Sequence, residues 1–367
     1  MKYLKYLLLY LLSFFLRAFY STDSRLLLFG SRGGTAYDDN TKYLFIYGNT
    51  YTSFNCIWVS KDRELVRKIR NQGYQAEYCF SWKALKLGLK ANAIFITHSL
   101  SDVLPIFYNK KTKVINLHHG IPIKKIEFLD KNIPLRGRIM NYWKSKKTTY
   151  MISNSEYYMD IYKECFKISY KKIINVGYPR MEFLVNPEKF KVRLVSPFKD
   201  GVNFLYLPTF RDFSAGNILN KSTLFNINKI MKEKDGNFYI KLHPFEKRKL
   251  ITSGYSNIHI LPSSINVQEV LPFADVLITD YSSAVFDFMV LRRPVIFFCP
   301  DIKEYEESRG FIIDFKKLFK DQIAYDTQEF LNKLSNYSSY SVPKNIERKI
   351  FNNQFDQSCK LIFNLLK

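Results

Sequence analysis

Short apolar runs recur along the chain. Most close on a glycine, proline or small polar residue and lead into a stretch with helical spacing. "RLLLFGS" predicts a strand and a loop, and Asp39 with Asn40 would cap a helix starting near Thr41. "NCIWVS" predicts a second buried strand, followed by the charged helix "KDRELVRKIRNQG", which Gly73 stops. "AEYCF" and "AIFITH" predict strands on either side of a helix over 81–89, and "KVINLHHG", "YMISNS" and "KKIINVGYP" continue the series. The second half repeats the rhythm. "VNFLYLPTFRD", "FYIKLHPFE", "IHILP", "VLITD" and "PVIFFC" read as strands, with helices over 221–234, 265–271 and 284–291. Strands alternating with helices imply a parallel, doubly wound α/β sheet, and two such series imply two domains. The polar, proline-bearing stretch 185–201 is the natural boundary. The predicted division is 1–22 as a leading segment, 23–190 as one domain and 191–367 as the other.

In open parallel sheets ligands bind at the carboxyl ends of strands. The chemically notable residues fall there: His118 and His119, Tyr178 to Arg180, Thr209 to Asp212 with Arg211, His243, and Asp280 to Ser283. In "HHGIPIKK", Gly120 permits a sharp turn or a close approach, and Pro122 stiffens the exit. One of the two histidines is placed to act as a general base near neutral pH. In "KLHPFE", His243 as an imidazolium could donate to a phosphate or a leaving-group oxygen. In "LITDYSSAVFDF", Thr279 and Asp280 precede Ser282 and Ser283, either of which could cap the next helix, whose first N–H groups suit a phosphate. Arg180 and Arg211 could pair with phosphate oxygens. Lys124 and Lys125 are either ligand contacts or surface charge. The chain has no Walker lysine motif and no GxGxxG, which disfavours ATP hydrolysis and ordinary NAD binding. Neighbouring residues on a strand face opposite ways, so His118 and His119 make a poor metal pair, and no metal or cofactor is expected.

Composition narrows the partner. Of 367 residues, 56 are basic and 33 acidic, a formal net charge of +23. That excess points to an anionic partner: nucleic acid, an acidic membrane or a phosphate-rich substrate. The five cysteines form no CxxC pair, so reduced thiols are expected. The opening "MKYLKYLLLYLLSFFLRAFYSTDSR" is apolar between Lys5 and Arg17 except for Ser13, too short for an ordinary spanning helix and without a good cleavage site. It reads as an interfacial membrane anchor or as a helix buried against the fold.

Taken together, "FGSRGGTAYDDNTKYLF", "HHGIPIKK", "GYPRMEFL", "LYLPTFRD", "KLHPF" and the long run "ADVLITDYSSAVFDFMVLRRPVIFFCPDIKEYEESRGFIIDF" resemble the CDP-glycerol:poly(glycerophosphate) glycerophosphotransferases, the wall teichoic acid primases and polymerases. The motifs come in the family's order. The resemblance implies a GT-B-like fold of two Rossmann-like domains facing a central cleft, the first on the acceptor side and the second binding the CDP donor. It implies a peripheral enzyme on the cytoplasmic face of the cell membrane. Such an enzyme transfers glycerol phosphate from CDP-glycerol to a hydroxyl of a lipid-linked or oligomeric acceptor and releases CMP. The family's two histidines map onto His119, as base, and His243. Arg211, Thr279, Asp280, Ser282, Ser283 and Arg309 fall to the donor's phosphates, and Gly120, Lys124 and Arg180 are possible substrate contacts. His118 receives no catalytic role. Ile121 stands where the family usually has threonine. CDP-ribitol as donor, and a GT-B sugar-nucleotide glycosyltransferase of capsule or lipopolysaccharide synthesis, are the alternatives. Nucleic acid binding has only the charge in its favour.

Overall fold

The structure, a computed structural model, describes residues 16, 19–103, 108–209, 219–242, 252–342, 344–352 and 354–366. By packing, the chain divides into two units. The first is Met1–His119, Glu127–Val192 and Lys349–Lys367, and the second is Gly120–Ile126 and Arg193–Arg348. Two stretches thus pack with the unit other than the one that sequence continuity would give them. Gly120–Ile126 joins the second unit because its backbone pairs there: Lys125 N–H donates to Gly310 O (3.1 Å) and Ile312 N–H to Ile123 O (2.8 Å). The returning stretch closes on the first unit, where Asn352 N–H donates to Asn154 O (2.8 Å) and Cys359 N–H to the Glu182 carboxylate (2.7 Å).

The first unit holds a seven-stranded sheet of β1 (Asp23–Phe29), β2 (Asn55–Ser60), β3 (Ala76–Tyr78), β4 (Ala91–Ile96), β5 (Lys113–Asn116), β6 (Tyr150–Ser153) and β7 (Ile173–Asn175), in the order β3-β2-β1-β4-β5-β6-β7. Every pairing is parallel. Helices cover both faces, so the strands are apolar almost throughout: Leu26, Leu28, Ile57, Val59, Ile94, Ile96 and Val114 form one continuous cluster. The second unit holds β8 (Val202–Leu207), β9 (Gly236–Ile240), β10 (Ile258–Ile260), β11 (Val276–Thr279), β12 (Val295–Phe298) and β13 (Ile323–Ala324), in the order β10-β9-β8-β11-β12-β13. Its pairings are also parallel, and Phe204, Phe238, Ile278, Ile296 and Phe298 form its core. The expected doubly wound α/β architecture is therefore present in both units.

In each sheet, chain order reverses between two neighbouring strands, β1 and β4 in the first and β8 and β11 in the second. Such switch points open a crevice at the carboxyl ends of the strands. Helix α1 (Asp39–Tyr51) starts two residues earlier than predicted, so Asp39 and Asn40 lie inside its first turn and are buried rather than capping it. Helices α2 (Leu135–Lys147), α3 (Glu156–Phe166) and α4 (Pro179–Val185) are additions to the predicted series. Most of the apolar N-terminal segment lies outside the described residues. Leu16 and Tyr20, at its described end, pack against Leu85 and Leu89 of helix Trp82–Lys90. Among the described residues no helix is long and apolar enough to cross a membrane. All five cysteines are buried and none forms a disulfide, and burial pushes the Cys56 and Cys165 thiols up to about 12, which leaves those two inert.

Candidate active site

The first constellation grows from the end of β5. The strand stops at Asn116, and His118 takes a left-handed backbone conformation, φ 55°. Strand alternation therefore no longer applies. The rings of His118 and His119 lie side by side with centroids 4.3 Å apart, instead of on opposite faces as the sequence reading has it. His118 is buried against Tyr162 and Phe166 of α3, whereas His119 reaches solvent.

The turn is pinned by α1 and α4. Asn116 Oδ1 accepts from His118 N–H (2.9 Å), and Asn40 Nδ2 donates to the carbonyls of Leu117 (3.1 Å) and His118 (2.9 Å). Arg180 Nη1 donates to the His119 carbonyl (2.7 Å) and to Asp39 Oδ1 (2.9 Å). Both side chains of this ion pair are 3% exposed. Breaking such a pair from one side leaves an unmatched buried charge, at a cost of about 3–5 kcal/mol. Arg180, singled out as a possible substrate contact, is thus a buried clamp on the histidine turn. Asp39 also takes positive φ, 64°, strain held in place by this network. Burial pushes its carboxyl pKa up, but the Arg180 guanidinium, then His119, outweigh it and hold it below the ordinary carboxylate range.

One residue the sequence reading passed over stacks on the His119 ring. β4 and β5 pair in register, Ile96 opposite Asn116, so residues just past both ends meet. His98 stacks on His119 with centroids 4.1 Å apart and planes 7° from parallel. Asp102 fixes His98: its Oδ2 accepts from the N–H groups of His98 (2.8 Å) and Thr97 (2.9 Å), while Oδ1 accepts from Gly33 N–H (2.6 Å). The glycine-rich opening motif makes room for this loop, since a Cβ on Gly30 would sit 2.1 Å from the Asp102 carbonyl oxygen. The signal was available, because "AIFITH" ends in histidine on the strand next to "KVINLHH". His119 is exposed, yet the His98 and His118 rings both lie within 4.3 Å of its own, centroid to centroid. Desolvation first, then the neighbouring His118 and His98, lower its pKa well below the ordinary imidazole value, against the pull of Asp39 and with a further push from Arg180. The ring is therefore neutral, and able to accept a proton, at physiological pH.

The second constellation belongs to the other unit, at its own switch point. Thr279 and Asp280 end β11 and are fully buried. Thr279 Oγ1 donates to Leu207 O (2.8 Å), and the Asp280 carboxylate accepts from Thr209 N–H (3.0 Å) and from the Thr209 hydroxyl. These two residues thus tie the ends of β8 and β11 together. Ser282 and Ser283 stay half-buried ahead of α5 (Ala284–Met289), and Ser282 Oγ accepts from Ala284 N–H (3.3 Å). Tyr281 stacks on Tyr305 of α6 (Ile302–Arg309) at 3.7 Å and donates to Asp301 Oδ1 (2.9 Å). Arg309 closes α6. Directly after it, Gly310 (φ 65°) and Phe311 pair with Lys124 and Lys125, so the "IPIKK" half of the histidine motif lies beside the Arg-Gly-Phe motif. A Cβ on Gly310 would stand 3.1 Å from the Lys125 side chain. Arg211 and His243 lie outside the described residues. Among those described, no group of three or more His, Cys, Asp or Glu side chains is placed to hold a metal ion.

These two motif clusters, in this order on two doubly wound units, have known counterparts. A teichoic acid glycerol-phosphate transferase of Staphylococcus aureus is 29% identical over 80% of this chain and 79% of its own length. A teichoic acid poly(glycerol phosphate) polymerase of Staphylococcus epidermidis is also 29% identical, over 79% of this chain, which spans only 42% of that longer protein. A solved structure of the wall teichoic acid polymerase TagF superposes with a TM-score of 0.77 at 23% identity, covering 94% of this chain and 89% of the other, and shares its GT-B-like fold. The sequence profile of one family runs from residue 11 to residue 359, through both constellations, and on that ground the chain belongs to the CDP-glycerol:poly(glycerophosphate) glycerophosphotransferases.

Proposed function

We propose that this transferase moves glycerol phosphate from CDP-glycerol to an acceptor hydroxyl with His119 as general base. The acceptor oxygen attacks the phosphorus next to glycerol and a new P–O bond forms. The bond from that phosphorus to the bridging oxygen breaks, and CMP departs. The hydroxyl proton passes to His119. The observation that carries this reading is the neutral, solvent-reaching imidazole of His119 on a turn clamped by Asn40, Asp39 and Arg180. Developing negative charge on the leaving group calls for donors and cations. Ser282, Ser283 and Arg309 are reachable for that purpose, and His243 and Arg211 complete the set by motif. Asp280 and Thr279 serve by holding the strand ends rather than by touching phosphate, and Gly120 and Lys124 fall to the substrate's approach.

His119→Ala should abolish CMP release from CDP-glycerol while leaving the unfolding midpoint near wild type, since the ring is partly exposed. Turnover within a fewfold of wild type would remove His119 as base. Running CDP-ribitol beside CDP-glycerol in the same assay identifies the polyol.

The acceptor is lipid-linked in this reading, with the enzyme peripheral on the cytoplasmic face of the membrane. Helix α2 supports that placement. It exposes Leu135 (74%), Ile139 (50%), Tyr142 (47%) and Trp143 (59%) at i, i+4, i+7 and i+8, with Lys146 on the same stripe and Arg136, Lys144 and Lys147 around it. Apolar and aromatic side chains ringed by cations suit an anionic bilayer surface.

A further inference from the structure

We propose that a lysine-lined cavity at the amino-terminal edge of the first unit's sheet is a second anion site, which takes a phosphate or phosphodiester group. The cavity has a volume of about 350 Å³, within the range of small-ligand sites. Lys110, Lys146, Lys147 and Lys172 line it together with Thr148 and Thr149, and among the described residues none of its lining is acidic. Thr149 directly precedes β6 and Lys172 directly precedes β7, so the cavity opens at the amino ends of the strands. His119 follows the carboxyl end of β5, on the opposite edge.

Two of the cations are set in place by neutral partners. Lys172 Nζ donates to the Thr148 carbonyl (2.9 Å), and Lys146 Nζ lies 5.2 Å from the Tyr142 ring. Each of these contacts orients an ammonium without cancelling its charge. The Thr149 hydroxyl accepts from Val114 N–H (3.0 Å), which leaves its own hydrogen to donate. Like charges gathered in one recess repel each other, and a phosphate, with several acceptor oxygens and one or two negative charges, turns that repulsion into attraction. The group could come from a lipid headgroup, since α2 delivers its exposed stripe to Lys146 at the rim, or from a soluble polyol phosphate.

Two probes separate these sources, both measured by titration calorimetry on the full chain at low salt: monomeric short-chain phosphatidylglycerol and glycerol 3-phosphate. The variant is Lys110→Glu, which lies outside the α2 stripe and spares the Lys172 backbone bond. An unchanged unfolding midpoint establishes that it folds, and unchanged CMP release establishes that the catalytic end is untouched. Charge-assisted contacts of this kind predict weakening of about tenfold or more. Weakening with the lipid probe alone supports the site and assigns it to a headgroup. Weakening with glycerol 3-phosphate, alone or with the lipid, supports it and assigns it to the phosphate itself. Equal affinity of variant and wild type for both probes overturns the proposal and leaves the lysines to balance the carboxyl end of α2. Loss of CMP release at normal stability overturns it as well, because the cavity would then belong to the reaction. Neither result depends on whether His119 is the base.

Discussion

His119, in its proposed role, works as a free imidazole, and its surroundings keep it free. Desolvation dominates, followed by His118 and His98 and then by Asp39, which opposes them, and Arg180, which adds to them. The acid limb of kcat/KM should therefore lie below the ordinary imidazole pKa of about 6.5. His98→Phe keeps a ring against His119 and removes a basic neighbour. It should move that limb upward, toward the ordinary value, with KM less affected than the pH profile. A limb that stays in place would make His98 a packing partner only. The same shift bears on stability. With the folded pKa depressed, the unfolded chain binds a proton that the folded chain refuses, so stability declines as pH falls through about 6.5. Residue by residue, the strand-end placement of His119 and the serine pair was legible, because each follows an apolar run. It was not legible where a residue acts through another. Asp39 reads as a helix cap and Arg180 as a possible substrate contact until the fold buries them against each other.

At the scale of elements, strands were the most readable. "NCIWVS" is β2 as written, and "AIFITH" overlaps most of β4, because a strand covered on both faces is a plain apolar run with a polar stop. The helix predicted over 221–234 differs from Lys221–Glu233 by one residue. Helix α2 escaped because its apolar residues are not buried: among its thirteen residues only Ser145 is buried, so no core-facing stripe marks it. That exposure has a testable side. Ile139→Ser with Trp143→Ala should change stability by no more than about 0.5 kcal/mol, since neither side chain is in the core. It should nevertheless reduce flotation with phosphatidylglycerol vesicles several-fold. Flotation equal to wild type would move membrane attachment elsewhere, with the apolar N-terminal segment the next place to look. Lys146 is unchanged in this variant, so it tests the stripe apart from the cavity.

For the whole molecule, the two sheets were readable and the path of the chain between the units was not. Nothing in composition marks Gly120–Ile126 as part of the second unit or Lys349–Lys367 as part of the first, because what assigns them is backbone pairing across long sequence separations. The chain changes unit four times, after His119, Ile126, Val192 and Arg348. Residues 1–192 produced alone should therefore lack a cooperative thermal transition, and adding a peptide of residues 344–367 should restore part of the amide protection of the first sheet. A sharp transition for 1–192 by itself would show the returning stretch to be dispensable.

Phe363 packs onto α1 so closely that a Cβ on Gly48 would stand 2.6 Å from its ring. In the cell this contact has a timing. The ribosome must complete the entire second unit before the residues that seal the first one emerge. A chain that stalls or is cut short leaves Gly48, Phe54 and Phe95 without the Phe363 ring, an apolar surface of the kind that chaperones hold and proteases clear. Synthesis through residue 363 thus becomes a condition for closing this face of α1.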